Sequence, residues 1–490
     1  MVAALLALLC AASGLFLVLL LWPRESGFSV NLLLKGSLSL GIGVGLFSVI
    51  FFVSRVSGGK NLLAVDLAVF LLLLAGYLFQ RSRTGVANTS SFSSSLSNEK
   101  TASGWLLLTL RASFAIALLA ALYSAVLRTI AHPHGDGWDA FAIWNLHARF
   151  LFRGGAHWRD GFTSLIPWSH PDYPLLLPAA IAHFWTGLGY ESQIAPAVIS
   201  LVFTFSTVAL LFSSLASLRG QISAILGGLA LLATPFFIQQ GTAQYADVPL
   251  SFFVLATIVL LCLYDQSTNA TRPAGLLMLA GISCGFAAWT KNEGLLFLLA
   301  ILAARLLVFV ITPSKPVTSE ALPQPNRNAR EASTALAFFL AGIAPLLLLV
   351  AWFKHSVAVS NELFSSVAFH KLLDASRYHA ILKWYGKDFL RFGDWLLIPG
   401  TLLLVGLYFA VPGKPVPVVD PGCRASRIAL ALTLAGYFLI YLITPYDLYW
   451  HLRFSLNRLF LQLWPAAIFL FFLRNPGLNA SPSGVESVSK

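Results

Sequence analysis

The sequence predicts an all-α polytopic membrane protein, and three observations carry that prediction. Of its 490 residues, 57% are hydrophobic and only 11% are charged, where a soluble domain carries roughly 25% charged residues. Mean hydropathy is +0.77. Apolar runs long enough to cross a hydrocarbon core, which takes about 20 helical residues, recur from end to end, and no long stretch reads as a soluble domain.

Taken in order, the runs predict about thirteen spans, at 1–22, 29–53, 62–79, 105–127, 194–217, 221–239, 248–264, 274–289, 294–311, 333–352, 394–411, 428–444 and 459–473. The first, "MVAALLALLCAASGLFLVLLLW", lacks the basic n-region and the small-residue cleavage site of a secretory signal, so it is expected to be retained. Residues 1–79 thus form three leading spans. The Ser-rich stretch 80–104 reads as a flexible linker, and 105–473 as the main transmembrane module, with a tail at 474–490. The run "LLLPAAIAHFWTGLG" at 175–189 is short and interrupted by Pro178, and is expected to lie in the interface rather than to span.

Raw Lys and Arg counts do not decide orientation, but the short linkers weigh most. The stretches 80–104 (Arg81, Arg83, Lys100), 312–332 (Lys315, Arg327, Arg330) and 412–427 (Lys414, Arg424, Arg427) fall on one side, which is therefore expected to be cytoplasmic. The long segments 128–193 and 353–393 then lie outside, together with the short stretches 240–247, 290–293 and 445–458. A location in a bacterial inner (plasma) membrane, with function on the extracytoplasmic face, follows as the expectation.

The net charge of +12 is scattered through loops instead of forming one basic stripe. That excludes nucleic acid as the natural partner and favours anionic lipid or phosphate. Cys10, Cys262, Cys284 and Cys423 show no CxxC spacing, so neither a disulfide framework nor a zinc site is expected.

Four stretches concentrate chemistry. In "GDGWDAFAIWNLHARFLFRGG", Asp136 and Asp139 follow a span; from Asp139, the residues Ile143, Leu146 and Phe150 mark one stripe of an amphipathic surface helix, with Gly135 and Gly137 loosening the approach. Asp139 there is either an N-terminal cap or a working carboxylate. The stretch continues in "SHPDYPLLLP" with His170 and Asp172. In "QQGTAQYADVPLSFF", Tyr245 and Asp247 lead into a span, and "TKNEG" sets Lys291 and Glu293 between two apolar runs, either snorkelling, paired with each other, or binding substrate. In "ITPYDLYWHLRFSLNRLFLQLWP", His451, Ser455 and Arg458 share one helical face with Arg453 beside it, as interface anchors or as a phosphate site. The segment carrying His370, Lys371, Arg377 and His379 reads as a solvated basic amphipathic surface.

The order of these motifs resembles the GT-C superfamily of polyprenyl-phosphate-sugar-dependent glycosyltransferases, among them the protein O-mannosyltransferases and the aminoarabinose transferases of lipid A. In that family an acid, an aromatic and an alanine follow the first of these spans, and "HPPL" comes some tens of residues later. Here Asp139, Trp144 and Ala148 match the first group, and His170 and Pro171 the start of the second. Ala140 stands where a second acid is common, and Asp172 and Tyr173 precede Pro174 and Leu175. Asp139 is favoured as the family's acid, with Asp136 in reserve.

The resemblance implies a GT-C-like bundle with interfacial helices in the first long outer loop, and transfer of a sugar from a polyprenyl-phosphate donor to a hydroxyl of a lipid, glycan or protein. Such a reaction needs a carboxylate to take the acceptor proton and cations for the leaving phosphate: Asp139 is expected to be the base, Lys291, Arg453 and Arg458 are the candidates for the phosphate, and Asp247 and His170 for shaping the sugar or acceptor site. Asp172, Tyr245, Glu293 and His451 complete the expected substrate-binding set. No nucleotide-sugar fingerprint or glycine-rich phosphate loop is present, which fits a lipid-linked donor. No cofactor is required by the sequence; a divalent metal is compatible with it, although His132 and His134 in "HPHGD" read as surface residues. A transporter or lipid-linked-sugar flippase is the rival reading, but no internal repeat supports it. A noncatalytic scaffold leaves the convergent charges without a reason.

Overall fold

The computed structural model describes residues 2–23, 28–59, 61–83, 104–267, 273–311, 325–359, 368, 370–395 and 421–474. Among these residues the protein is all-helical, without a strand. The helices are α1 (Val2–Leu21), α2 (Phe28–Val56), α3 (Leu62–Ser82), α4 (Gly104–Ala131), α5 (Asn145–Arg153), α6 (Leu176–Leu188), α7 (Ile194–Arg219), α8 (Gln221–Leu232), α9 (Pro235–Thr242), α10 (Asp247–Gln266), α11 (Ala274–Thr290), α12 (Asn292–Ile311), α13 (Pro325–Ser356), α14 (Ala375–Arg391), α15 (Pro421–Ile443) and α16 (Leu448–Arg474).

Ten of these are long and apolar enough to cross a membrane, and eleven if the bent pair α8–α9 counts as one. The protein is therefore an integral membrane protein with fewer described spans than the thirteen expected. The run 221–239 is broken: α8 ends at Leu232, and Pro235, which has no N–H to continue the helix, opens α9 at an angle of 66°. The run 274–289 forms α11, a helix of only 17 residues that stops at Lys291. The expected span 394–411 and most of the 80–104 linker lie outside the described residues. The 175–189 run forms α6, a 13-residue helix too short to span, and nine of its residues are buried.

Apolarity alone does not sort these helices, because lipid-facing and core helices are equally apolar. Small residues do. In α10, 89% of the most apolar stretch is buried, against 6% in α3 and α4, which line the periphery. The centre is closed by α2, whose glycines let neighbours approach: a Cβ on Gly41 would strike the Phe252 ring of α10, and one on Gly45 the Phe286 ring of α11. A Cβ on Gly43 would stand 2.3 Å from the Cys10 carbonyl oxygen of α1. Gly43→Leu should accordingly lower stability by about 1–3 kcal/mol, visible as a drop in thermal midpoint in detergent; an unchanged midpoint would mean that α1 and α2 do not close there.

The opening segment of the first long loop departs from a simple surface helix. Ala140–Trp144 forms a π-helical turn, followed by α5. The extra residue per turn widens the buried face, so that Ile143 and Trp144 are buried together with Asn145, His147 and Ala148, packed against α6. The polar members have internal partners: Asn145 donates to Gln244 Oε1 at 2.9 Å, and His147 Nε2 lies 3.3 Å from Ser169 Oγ. Burial lowers the His147 pKa to about 3.

Candidate active site

The loop after α4, the N-termini of α10 and α12, the C-terminus of α11 and the first half of α16 meet at one place. There Arg458 of α16 joins two distant parts of the chain. Its Nη1 donates to Asp139 Oδ2 at 2.6 Å, while Nε and Nη2 both reach Asp247 Oδ2 at 2.9 Å. The guanidinium also lies over the Tyr245 ring, 4.7 Å from its centroid. Asp247, at the start of α10, is fully buried and also accepts from Lys291 Nζ at 2.9 Å and Gln462 Nε2 at 2.6 Å. Lys291 in turn bonds Glu293 at 3.0 Å. Three carboxylates thus converge on two cations.

Local backbone explains how the side chains arrive. Lys291 interrupts α11 and α12 in an extended conformation (φ −154°, ψ 163°), which turns its side chain inward instead of along a helix. Burial opposes its charge, but Asp247 and Glu293 outweigh that penalty and raise its pKa above the ordinary lysine value. Asp139 makes no capping hydrogen bond, so its carboxylate is spent on Arg458. Gly135 and Gly137 are not loose joints: both take left-handed φ (+87° and +90°), and a Cβ on Gly137 would stand 2.6 Å from Tyr245 Oη. Burial pushes the Tyr245 phenol up to about 12.

A second group borders the first. Asn292 donates to Asp172 Oδ2 at 2.8 Å, and Lys354 donates to Asn292 Oδ1 at 2.7 Å and to the Asp172 carbonyl. His170 sits at φ 50° and stacks on Tyr173 with centroids 4.6 Å apart; Tyr173 stacks on Trp144 at 5.7 Å. Burial lowers the His170 pKa. Tyr446 stands between His170 (6.3 Å) and His451 (5.6 Å), and His451 Nδ1 lies 2.9 Å from Thr444 Oγ1.

The structure therefore brings together Asp139, Tyr245, Asp247, Lys291, Glu293 and Arg458, and sets Asp172, His170 and His451 along their border. It places Asp136 and Arg453 elsewhere. Asp136 bonds Arg128 at 2.5 Å, because the bend at Gly135 and Gly137 sends the two aspartates to different partners. Arg453, five residues before Arg458, falls on another side of α16. It is exposed and lines a groove of about 610 Å³ with Trp384, Lys387, Trp450 and Asn457. The basic segment is also more than a solvated face: Arg377 and Lys371 donate to the carbonyls of Tyr441, Leu442 and Thr444, satisfying the C-terminal end of α15. His370 and His379 are exposed.

Sequence reasoning missed Gln462, Tyr173, Asn292 and Lys354. Gln462 carried a signal, a lone amide within an apolar span; it also accepts from the Tyr437 hydroxyl at 2.8 Å. Among the described residues, no three of His, Cys, Asp and Glu are grouped to hold a metal ion.

No curated protein and no solved structure shows a significant match to the chain. The model of the dolichyl-phosphate-mannose-protein mannosyltransferase family matches residues 169–323. The match begins one residue before His170 and takes in Asp172, Tyr245, Asp247, Lys291 and Glu293, while Asp139 and Arg458 lie outside it and are brought to the same place by folding. Over residues 169–323, about a third of its length, the chain is similar to the dolichyl-phosphate-mannose-protein mannosyltransferase family, a family of GT-C membrane glycosyltransferases.

Proposed function

We propose that the protein transfers a sugar from a polyprenyl-phosphate donor to a hydroxyl acceptor at the extracytoplasmic membrane face, with Asp139 as general base. The observation that carries this reading is Arg458, which holds the carboxylate of Asp139 beside Asp247 and Lys291. The acceptor hydroxyl gives its proton to Asp139 while its oxygen forms the new bond to the anomeric carbon. The bond from that carbon to the phosphate oxygen breaks, the electron pair leaves with the phosphate, and the configuration inverts. Arg458 and Lys291 take up the charge that develops on the phosphate.

Asp247 holds both cations in place. Glu293, Asp172, His170, Tyr245 and His451 shape the sugar and acceptor side, and Asp136 and Arg453 are left without a part in the step. Carboxylates engage both Arg458 and Lys291. Donor phosphate therefore displaces Asp139 from Arg458, which frees the base only once a donor is present. The outer-face reading is supported by Arg219 and Arg474, basic residues in the last turns of α7 and α16, at the end of α16 away from the charge cluster.

The test is a proteoliposome assay with labelled polyprenyl-phosphate mannose and a hydroxyl acceptor. Label should pass to the acceptor, whereas label that only changes leaflet while still on its lipid would establish a flippase and end the transferase reading.

A further inference from the structure

The three leading helices lie outside the matched residues 169–323, yet one of them reaches the site. Ser48 of α2 is fully buried. It accepts a hydrogen bond from Trp289 Nε1 at 3.1 Å and donates its own to the Leu175 carbonyl at 3.4 Å. Trp289 stands two residues before Lys291, and Leu175 three residues after Asp172. One hydroxyl thus spans the two segments that deliver the charged residues. A turn further along α2, Phe52 packs on Trp289 and on Trp158 with centroids 5.2 and 5.8 Å apart. A second polar tie runs from α3 to α6, where Asp66 Oδ1 and His183 Nε2 are 3.0 Å apart and both side chains are fully buried.

We propose that Ser48 is a positioning residue for sugar transfer, holding the extended break at Lys291 in register with the His170–Tyr173 loop. The leading helices are then part of the working site and not merely an anchor. The proposal rests on the reading of Lys291 and the His170–Tyr173 loop as substrate-binding. Its physical basis is specific. At Lys291 the backbone leaves the helix, so neighbouring contacts must set its position, and a serine hydroxyl both accepts and donates while being small enough for α2 and α11 to close. Without the hydroxyl the Trp289 N–H is buried with no acceptor, a state the structure relieves by shifting.

The experiment compares Ser48→Ala, Ser48→Cys, Trp289→Phe and the Ser48→Ala/Trp289→Phe double variant in the full-length protein, measuring kcat, donor KM and thermal midpoint. Per folded molecule, kcat should fall on the order of tenfold in each single variant, because small misplacements of binding groups are costly. Ser48→Cys keeps the volume and weakens both bonds, so it should fold as the parent does and still lose kcat. The double variant should be no slower than the slower single one. Parental kcat in folded Ser48→Ala or Ser48→Cys, or losses that multiply in the double variant, would overturn the proposal while leaving the transferase reading intact. Absence of transfer by the parent protein would sink both.

Discussion

Asp139→Asn should cut sugar transfer by about 10²–10⁴-fold, the usual contribution of a positioned general base, while polyprenyl phosphate binds the variant more tightly than it binds the parent. The two effects have opposite signs for one reason. In the parent, the Asp139 carboxylate occupies Arg458 Nη1 at 2.6 Å, so an incoming phosphate must compete with it. An amide keeps the shape but surrenders the charge, leaving Arg458 freer for phosphate and the acceptor proton without a destination. Transfer assays and direct binding of polyprenyl phosphate separate these outcomes. Undiminished transfer would remove Asp139 as base, and weaker phosphate binding would contradict the exchange between carboxylate and phosphate.

Arg458→Ala is expected to abolish transfer and also to destabilise the protein by about 3 kcal/mol, as when one partner of a buried pair is removed. Asp247 is fully buried and would keep only Lys291 and Gln462 as donors. Arg458→Lys should restore most of the stability but little of the transfer, because an ammonium lacks the planar fork that serves Asp139 and Asp247 together. Thermal midpoints and single-turnover rates for both variants check this. A fast Arg458→Lys enzyme would show that a point charge suffices at this position.

Much of the site was legible along the chain because its residues interrupt apolar runs, where a charge is conspicuous. Asp247, Lys291 and Glu293 stand at helix ends, and Asp139 eight residues beyond the end of α4, and each carries that signal. Choosing between neighbours was a different matter. Arg453 and Arg458 lie on one helix, and the sequence favours neither for the cluster; the packing of α16 against α10 turns Arg458 inward and leaves Arg453 exposed. Asp136 and Asp139 differ in fate because of two left-handed glycines, whose φ is decided by the close approach of Tyr245 and Ala243. The bend between α8 and α9 was partly readable from Pro235, but its 66° angle reflects what the helix meets.

By itself the sequence determined the class of the protein: a hydrocarbon solvent demands helices with internally bonded backbones, and such helices must be written as long apolar runs. It also determined which charges are anomalous, since each one costs free energy unless it is paired or used. Only the tertiary structure decided which of them meet. Asp139 and Arg458 are separated by most of the chain, and Ser48 reaches Trp289 from a helix outside the family match. Contacts of that kind depend on helix rotation and close approach, set here by α2 glycines and buried hydroxyls. The hydropathy pattern carries no record of them, because the membrane makes core and lipid-facing surfaces equally apolar.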